Sequence, residues 1–471
     1  MPTPTVRDLD RSAIDNLASQ IRGEIILPGH ERYDDARKVY NGMIDKHPGM
    51  IVRCTDVADV IAAVRFGREH GLLVAVRGGG HNGGGLGLCD DGMVIDLSGI
   101  KYVFVDPAKQ TVRVGGGNTL GEIDHATHAF GLAVPAGILS TTGIGGLTLG
   151  GGVGHLSRKY GLTIDNLLEA EIVLANGTVV IANADQHPDL FWAIRGGGGN
   201  FGIVTSFLFQ AHPVKEVFGG PTLWPIEQTP EIMEWYHNFI HNAPDELNGF
   251  IAVMTIPGPP FPEFLHHKQF CGIVWCYSGD MLKAEELFKP IRAMKPLFEH
   301  VGPMPYPVMQ RLFDGLMPPG LQWYWRADFF NELPAEAREQ HYEFGHRIPT
   351  PLSQMHLYPI SGAAGRVAPD ATPWAYRDAK YAGVIVGVDP DPANAARITE
   401  WCKEYWTALH PYSSGGAYLN FIMNEGQDRI RASYRGNYDR LVAIKQKYDP
   451  TNFFRVNQNI VPAHETAAVT S

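Results

Sequence analysis

Val76-Arg77-Gly78-Gly79-Gly80-His81-Asn82-Gly83-Gly84-Gly85 is the stretch on which the reading of this 471-residue chain turns. Glycine is required where a backbone takes positive φ or must come close to a ligand. Successive N–H groups in such a loop converge on an anion, commonly a phosphate. The runs Leu72–Arg77 before it and Met93–Leu97 after it both read as strands. The Rossmann fingerprint differs, because there the glycine loop opens a helix, and no G-K-S/T of a P-loop follows here. The pattern predicts a dinucleotide pocket of another build, with one imidazole inside it.

Glycine supplies 53 of the 471 residues, above the usual share of about 7%. The excess is clustered: a second field runs from Gly143 to Gly154, and a third is Gly196–Gly199. Around them short strands and helices alternate. Met50–Arg53 reads as a strand, and Thr55–His70 carries Val57, Val60, Ile61 and Val64 at helical spacing. Tyr102–Asp106, Thr111–Gly115, Leu132–Val134 and Ile203–Gln210 read as strands, and Thr119–Phe130 and Asp189–Ile194 as helices. Leu167–Ala175 and Thr178–Ala182 flank Asn176-Gly177 as a hairpin.

The clusters stop at about Pro213. Beyond it the alternating stretches Gln322–Phe329, Gln354–Ile360 and Tyr381–Val388 lie between helical patterns such as Pro230–Ala243 and Pro392–Leu409. Together they predict a second α+β domain built on an antiparallel sheet. Tyr434–Lys447 reads as a helix leading into Tyr448–Arg455. The expected organisation is 1–212, then 213–415, then a segment 416–471 that returns to the first domain.

A net charge of −11 argues against nucleic acid and anionic membranes as partners. No apolar run reaches the length of about 18 residues that a membrane span needs, and the charged N-terminus lacks the layout of a signal peptide. Cys54, Cys89, Cys271, Cys276 and Cys402 are odd in number and scattered, which fits a reducing cytoplasm rather than a disulfide framework. His125 and His128, with Glu122 and Asp124 beside them, lack a further donor that would close a shell, so no metal is expected.

The first glycine loop, the Gly143–Gly154 field, Lys159–Asn166, Arg195–Val204 and Tyr448–Arg455 closely resemble the berberine bridge enzyme-like branch of the vanillyl-alcohol oxidase superfamily. The resemblance covers about 1–210 and 415–462. It implies an α+β flavoprotein with a PCMH-type FAD-binding domain and a substrate domain of antiparallel sheet and flanking helices. It implies that His81 bonds covalently to the flavin 8α carbon, and that Arg77, Gly78, Gly79, Gly80 and Asn82 surround the diphosphate. Thr142, Gly143, Gly145, Gly146, Gly150 and Val153 from the second field are implied as further cofactor contacts. So are Asp165, Asn166, Gly199, Asn200, Gly202, Ile203, Val204, Asn457 and Asn459, since FAD presents carbonyls, ring N–H and hydroxyls to short polar groups. Many relatives carry a cysteine for a second link where Leu139 stands here, and a thioether needs a thiolate, so a single tether is expected.

In such enzymes a hydride leaves a substrate C–H for flavin N5 while a base takes the alcohol or amine proton. Tyr418, oriented by Asn420, is the expected base, its pKa lowered by neighbouring positive charge or by the flavin. Val153 stands where some plant relatives have a second tyrosine. On a strand, residues two apart share a face, which groups Gln354 with His356 and Tyr358, and Trp323 with Trp325 opposite Gln322, Tyr324 and Arg326. Trp323, Trp325, His356 and Tyr358 are the expected substrate contacts. The resemblance also implies that the residue at Thr142 controls access of O2; it is small, so an oxidase producing H2O2 is the first expectation. A dehydrogenase with another acceptor, and a flavin or ligand carrier without turnover, are the alternatives. The substrate class spans sugars, heterocycles and natural products.

Overall fold

The structure, a computed structural model, describes residues 3–463; residues 1–2 and 464–471, the outer ends of the first and last expected segments, lie outside the described residues. Four strands in the order Glu24–Ile26, Met50–Arg53, Met93–Asp96 and Val74–Arg77 form the first sheet. Met93–Asp96 runs parallel to both of its neighbours. It is fully buried, as the continuous apolar run of a parallel strand demands. The helix Val57–Glu69 crosses between two of these strands and is capped by the Asp56 carboxylate, which accepts the N–H groups of Ala58 and Asp59.

The second sheet is antiparallel, in the order Val103–Asp106, Thr111–Gly115, Ile203–Gln210, Leu167–Val173 and Val179–Asn183. Its Asn176-Gly177 turn needs glycine, since Gly177 sits at φ 76°. A third sheet of eight antiparallel strands follows. Its main path is Glu216–Pro225, Gln269–Tyr277, Leu247–Thr255, Gln354–Pro359, Tyr381–Asp389 and Gln322–Phe330.

Helices Thr229–Ile240, Ala335–His346 and Ala395–Leu409 cover one face of that sheet, where Met355, Leu357 and Ile385 pack on Met233, Tyr236, Phe344 and Tyr405. Phe250, Tyr358, Val384 and Val386 alternate to the other face and join the core of the glycine-rich region. Val386 pairs with Trp325 on one side and with Gln354 on the other. That register puts the tryptophan pair and the Gln354–His356–Tyr358 row on one surface.

The structure departs from the expected elements in two places. Ile144–Gly150 inside the second glycine field is a helix, because buried Ile144, Leu147 and Thr148 anchor it and packing overrides the poor helix propensity of glycine. The helix expected over 434–447 is broken: Gln427–Tyr434 ends at Arg435, which takes φ 47°, and Tyr438–Tyr448 begins after a short turn. Among the described residues no helix is long and apolar enough to cross a membrane, and all five cysteines are buried free thiols.

The C-terminal stretch is sewn onto the third glycine cluster. Fully buried Lys445 donates to Asn200 O at 2.8 Å, Phe454 O at 2.9 Å and Asp449 Oδ2 at 2.6 Å. Asp449 in turn accepts the amides of Phe453 and Phe454. A buried pair whose polar atoms are engaged in this way costs little to keep and much to break from one side.

Candidate active site

A cavity of about 330 Å³ opens between the glycine clusters and the tryptophan-bearing face of the eight-stranded sheet. At one end the loop after Val74–Arg77 is held by Arg77, whose Nη2 donates to Asp96 Oδ2 at 2.8 Å. Burial alone raises the Asp96 carboxyl, but the Arg77 guanidinium and the Ser98 amide outweigh it and keep the group below its ordinary value. Gly79 and Gly143 let two backbones touch: a Cβ on Gly143 would lie 2.3 Å from Gly79 N, and one on Gly79 2.4 Å from Gly143 N. Gly143→Ala is therefore expected to cost about 3 kcal/mol through overpacking against backbone that cannot yield. A denaturant midpoint equal to that of the parent would count against this contact.

The His81 ring stacks on Tyr40 with centroids 4.0 Å apart. Its Nε2 lies 3.0 Å from Thr141 Oγ1 and its Nδ1 3.4 Å from Thr142 Oγ1. Desolvation pushes the imidazole down to about 4, against an opposing contribution from Thr141. The ring is thus neutral at neutral pH and keeps a lone pair.

Burial acts the same way on six other histidines, three of which are wholly buried. His155, His341 and His356 are pushed down to about 4, about 3 and about 3. An unfolded imidazole titrates near about 6.5, so below that pH the unfolded chain holds more protons than the native one. The stability these groups contribute is whole above about pH 6.5 and is lost as the pH falls toward 4. Their share of the expected slope is about three protons, or roughly 4 kcal/mol per pH unit, across that window. Denaturation of the His341→Gln variant between about pH 6.5 and 4.5 checks it. The slope should drop by about one proton, and an unchanged slope refutes the assignment.

At the other end Tyr418 lines the cavity with Asn420 beside it. The phenolic oxygen accepts from Asn420 Nδ2 at 2.7 Å and from Gly152 N at 2.9 Å. Gly150 leaves the room for Asn420, since a Cβ there would lie 2.2 Å from Asn420 Oδ1. Burial pushes the Tyr418 phenol up to about 12, with the Gly152, Asn420 and Val153 donors acting the other way. Of the two causes expected to lower this pKa, a neighbouring positive charge is not among the groups acting on the phenol, and those that favour the phenolate are neutral N–H donors.

The structure brings most of the expected residues together. Arg77, Gly78, Gly79, Gly80, His81, Asn82, Thr142, Gly143, Gly145, Gly146, Gly150 and Val153 line the one cavity. Gly199, Gly202, Ile203, Val204 and Asn457 do too, as do Trp323, Trp325, His356 and Tyr358 from the sheet. Tyr324 and Arg326 face the helices instead, where Arg326 lies over Trp406 and pairs with Glu425 at 2.7 Å.

Four expected cofactor contacts are placed elsewhere. Asp165 forms a two-pronged pair with buried Arg377 at 2.7 and 2.8 Å. Asn166 donates to Tyr160 O and Leu162 O. The Asn200 amide bridges Gly197 O, Gln458 O and Ile460 N. Asn459 is absent from the lining, and its carbonyl accepts from Gln427. Short polar side chains cross-link a fold as readily as they bind a ligand: Asn166 and Asn200 tie backbone, and Asp165 is held by Arg377. Sequence reasoning missed Tyr40, which lies outside every motif, and Thr141, whose neighbour Thr142 was the only signal.

A family model described as "FAD binding domain" matches residues 48–183, and one described as "Berberine and berberine like" matches residues 417–461. An FAD-linked oxidoreductase of Dictyostelium discoideum is 33% identical over 455 residues, 95% of this chain and 97% of that one. The (R)-6-hydroxynicotine oxidase of Paenarthrobacter nicotinovorans is 28% identical over 462 residues, 94% of this chain and 97% of its own. Among solved structures, 6-hydroxy-D-nicotine oxidase from Arthrobacter nicotinovorans superposes with a TM-score of 0.84 at 26% identity, covering 93% of this chain and 98% of its own. With nearly the whole chain aligned, and the glycine loops and C-terminal segment meeting at one cavity, the protein belongs to the berberine bridge enzyme-like family of FAD-dependent oxidoreductases.

Proposed function

We propose that this chain is an oxidase with FAD tethered only through His81, oxidising an alcohol or amine carbon of a small or medium substrate. The observation that carries the reading is a neutral imidazole at one end of a glycine-lined cavity and a doubly hydrogen-bonded phenol at the other. The lining fits the cofactor, because buried Asn457 Oδ1 has no partner among the described residues and glycine backbones leave space for close approach. Bound there, FAD would supply a two-electron acceptor for the substrate hydride, with O2 as the terminal oxidant and H2O2 as its product.

The residues of this chain divide the work. Neutral His81 offers its lone pair to the ring system, and Tyr40 beneath it and Thr141 beside it hold the imidazole in one orientation. Leu139 lines the same end without a thiol, in keeping with a single bond. Arg77, Gly78, Gly79, Gly80, Asn82 and Asn457 surround the rest of the cofactor. Tyr418, a neutral phenol at rest, receives the substrate proton once it has given up its own, and Asn420 with the Gly152 amide stabilises the phenolate oxygen during that step. On this reading, 1–212 and 416–471 hold the cofactor and 213–415 shapes the substrate side. Small Thr142 with Gly143 and Gly146 supports O2 as the acceptor, and five free thiols support a cytoplasmic setting.

Anaerobic reduction followed by admission of air tests the oxidase reading. Reoxidation within the turnover time is expected; a return over minutes with O2, faster with a quinone, makes the chain a dehydrogenase.

A further inference from the structure

We infer that the substrate is an uncharged, ring-bearing alcohol, and that amines bearing an ammonium charge are turned away; this rests on the reading of the cavity as the active site of an FAD-dependent oxidase. Among the described residues no aspartate, glutamate or lysine lines the cavity. Arg77 is the one charged lining residue among them, and it is committed to Asp96 at the glycine-loop end. The carboxylates that come near from behind are spent as well. Asp314 accepts from the Ser140 hydroxyl and amide, Glu425 pairs with Arg326 and Arg429, and Asp328 pairs with Arg429 and His410.

The sheet wall is polar without being charged. Gln354 Oε1 lies 3.0 Å from His356 Nε2, and His356 Nδ1 lies 2.8 Å from the Tyr358 hydroxyl. With Gln354 Oε1 accepting, the imidazole keeps its proton on Nε2 and Tyr358 donates to Nδ1. All three side chains are buried, and the row is satisfied as a neutral chain. An ammonium entering here loses its water and finds no counter-ion, which is the costly way to bury a charge.

The polar atoms of the two tryptophans on this wall point the same way. Trp323 Nε1 and Trp325 Nε1 are enclosed N–H groups without an acceptor among the described residues, so the indoles bring donors and no anion to meet an ammonium, which has no lone pair to offer them. The rings of Trp323, Trp325, Tyr358 and Phe421 supply flat apolar walls for a ring-bearing substrate. Attraction of a cation to those ring faces is smaller than the loss of its hydration without a partner charge.

The test uses the yellow holoenzyme without air and reads the perturbation of the flavin absorption band. The probes are 4-methoxybenzyl alcohol, cyclohexylmethanol, the two matching primary amines, and 4-methoxybenzyl-trimethylammonium. Each alcohol is expected to bind roughly 100-fold or more tighter than its amine at neutral pH. Amine binding should then strengthen by roughly tenfold per pH unit up to the amine's own pKa, while alcohol binding stays level. The quaternary ammonium should stay excluded at every pH. An amine that matches its alcohol at neutral pH, binding by the quaternary ion, or failure of both alcohols to perturb the band overturns the inference alone. A preparation that retains no flavin overturns the enzymatic reading beneath it.

Discussion

A His81→Ala protein precipitated with acid is expected to yield a colourless pellet, with all of its flavin left in the supernatant. The wild-type pellet should stay yellow and fluoresce in a denaturing gel. The effect is all-or-none because no neighbouring side chain can take over. Tyr40 stacks on the imidazole, but burial holds its phenol above the ordinary value, so no phenolate is at hand. Leu139 and Val153 carry no nucleophile, and none of the five cysteines lines the cavity. The cradle survives the substitution, since the contact between Gly79 and Gly143 and the Arg77–Asp96 pair do not involve the imidazole. The variant should therefore still take up FAD reversibly and lose it on dilution. A His81→Ala pellet that remains yellow would place the bond on another residue.

Tyr418→Phe is expected to slow anaerobic bleaching of the flavin by roughly 10³-fold, within the range that removal of a positioned acid–base group produces. That is about 4 kcal/mol of transition-state stabilisation. The ring itself packs on Trp374 and Phe421, each with centroids 4.6 Å away, so phenylalanine keeps the wall intact. Only the oxygen that accepts from Asn420 and Gly152 is removed. The buried Gly152 N–H then lacks its acceptor while Asn420 Nδ2 keeps Leu147 O, which costs about 1–3 kcal/mol in stability and is read separately by denaturation. The wild-type rate should also climb with pH through the neutral range, because the resting group is a phenol pushed up to about 12. The variant should lose that slope. A variant that bleaches as fast as the parent, or keeps the same pH dependence, removes Tyr418 from the proton path.

The legible parts of the molecule are those where one residue type has one physical use. Glycine at 79 and 143 admits a backbone approach that no other residue allows, and the clusters around them announce a cradle. Period-two alternation groups Gln354 with His356 and Tyr358. That the tryptophans of Gln322–Phe330 join them depends on Trp325 and Gln354 both pairing to Val386, and cross-strand register is written in no single segment. Asp165, Asn166 and Asn200 are ambiguous in the sequence for the opposite reason: a short amide or carboxylate serves the fold and a ligand equally well. The helix Ile144–Gly150 is hidden because its glycines argue against it locally while burial of its apolar side argues for it globally.

The seam between Lys445, Asn200 and the chain's last described turns has a bearing on how the protein is made. All three glycine clusters have been synthesised by residue 204, yet Asn457 and Gln458, which line the same cavity, follow some 250 residues later. Until then the cleft lacks that side of its wall. Retention of the cofactor is therefore expected to await docking of the tail, and a chain halted at residue 440 is expected to hold FAD more weakly than the full chain.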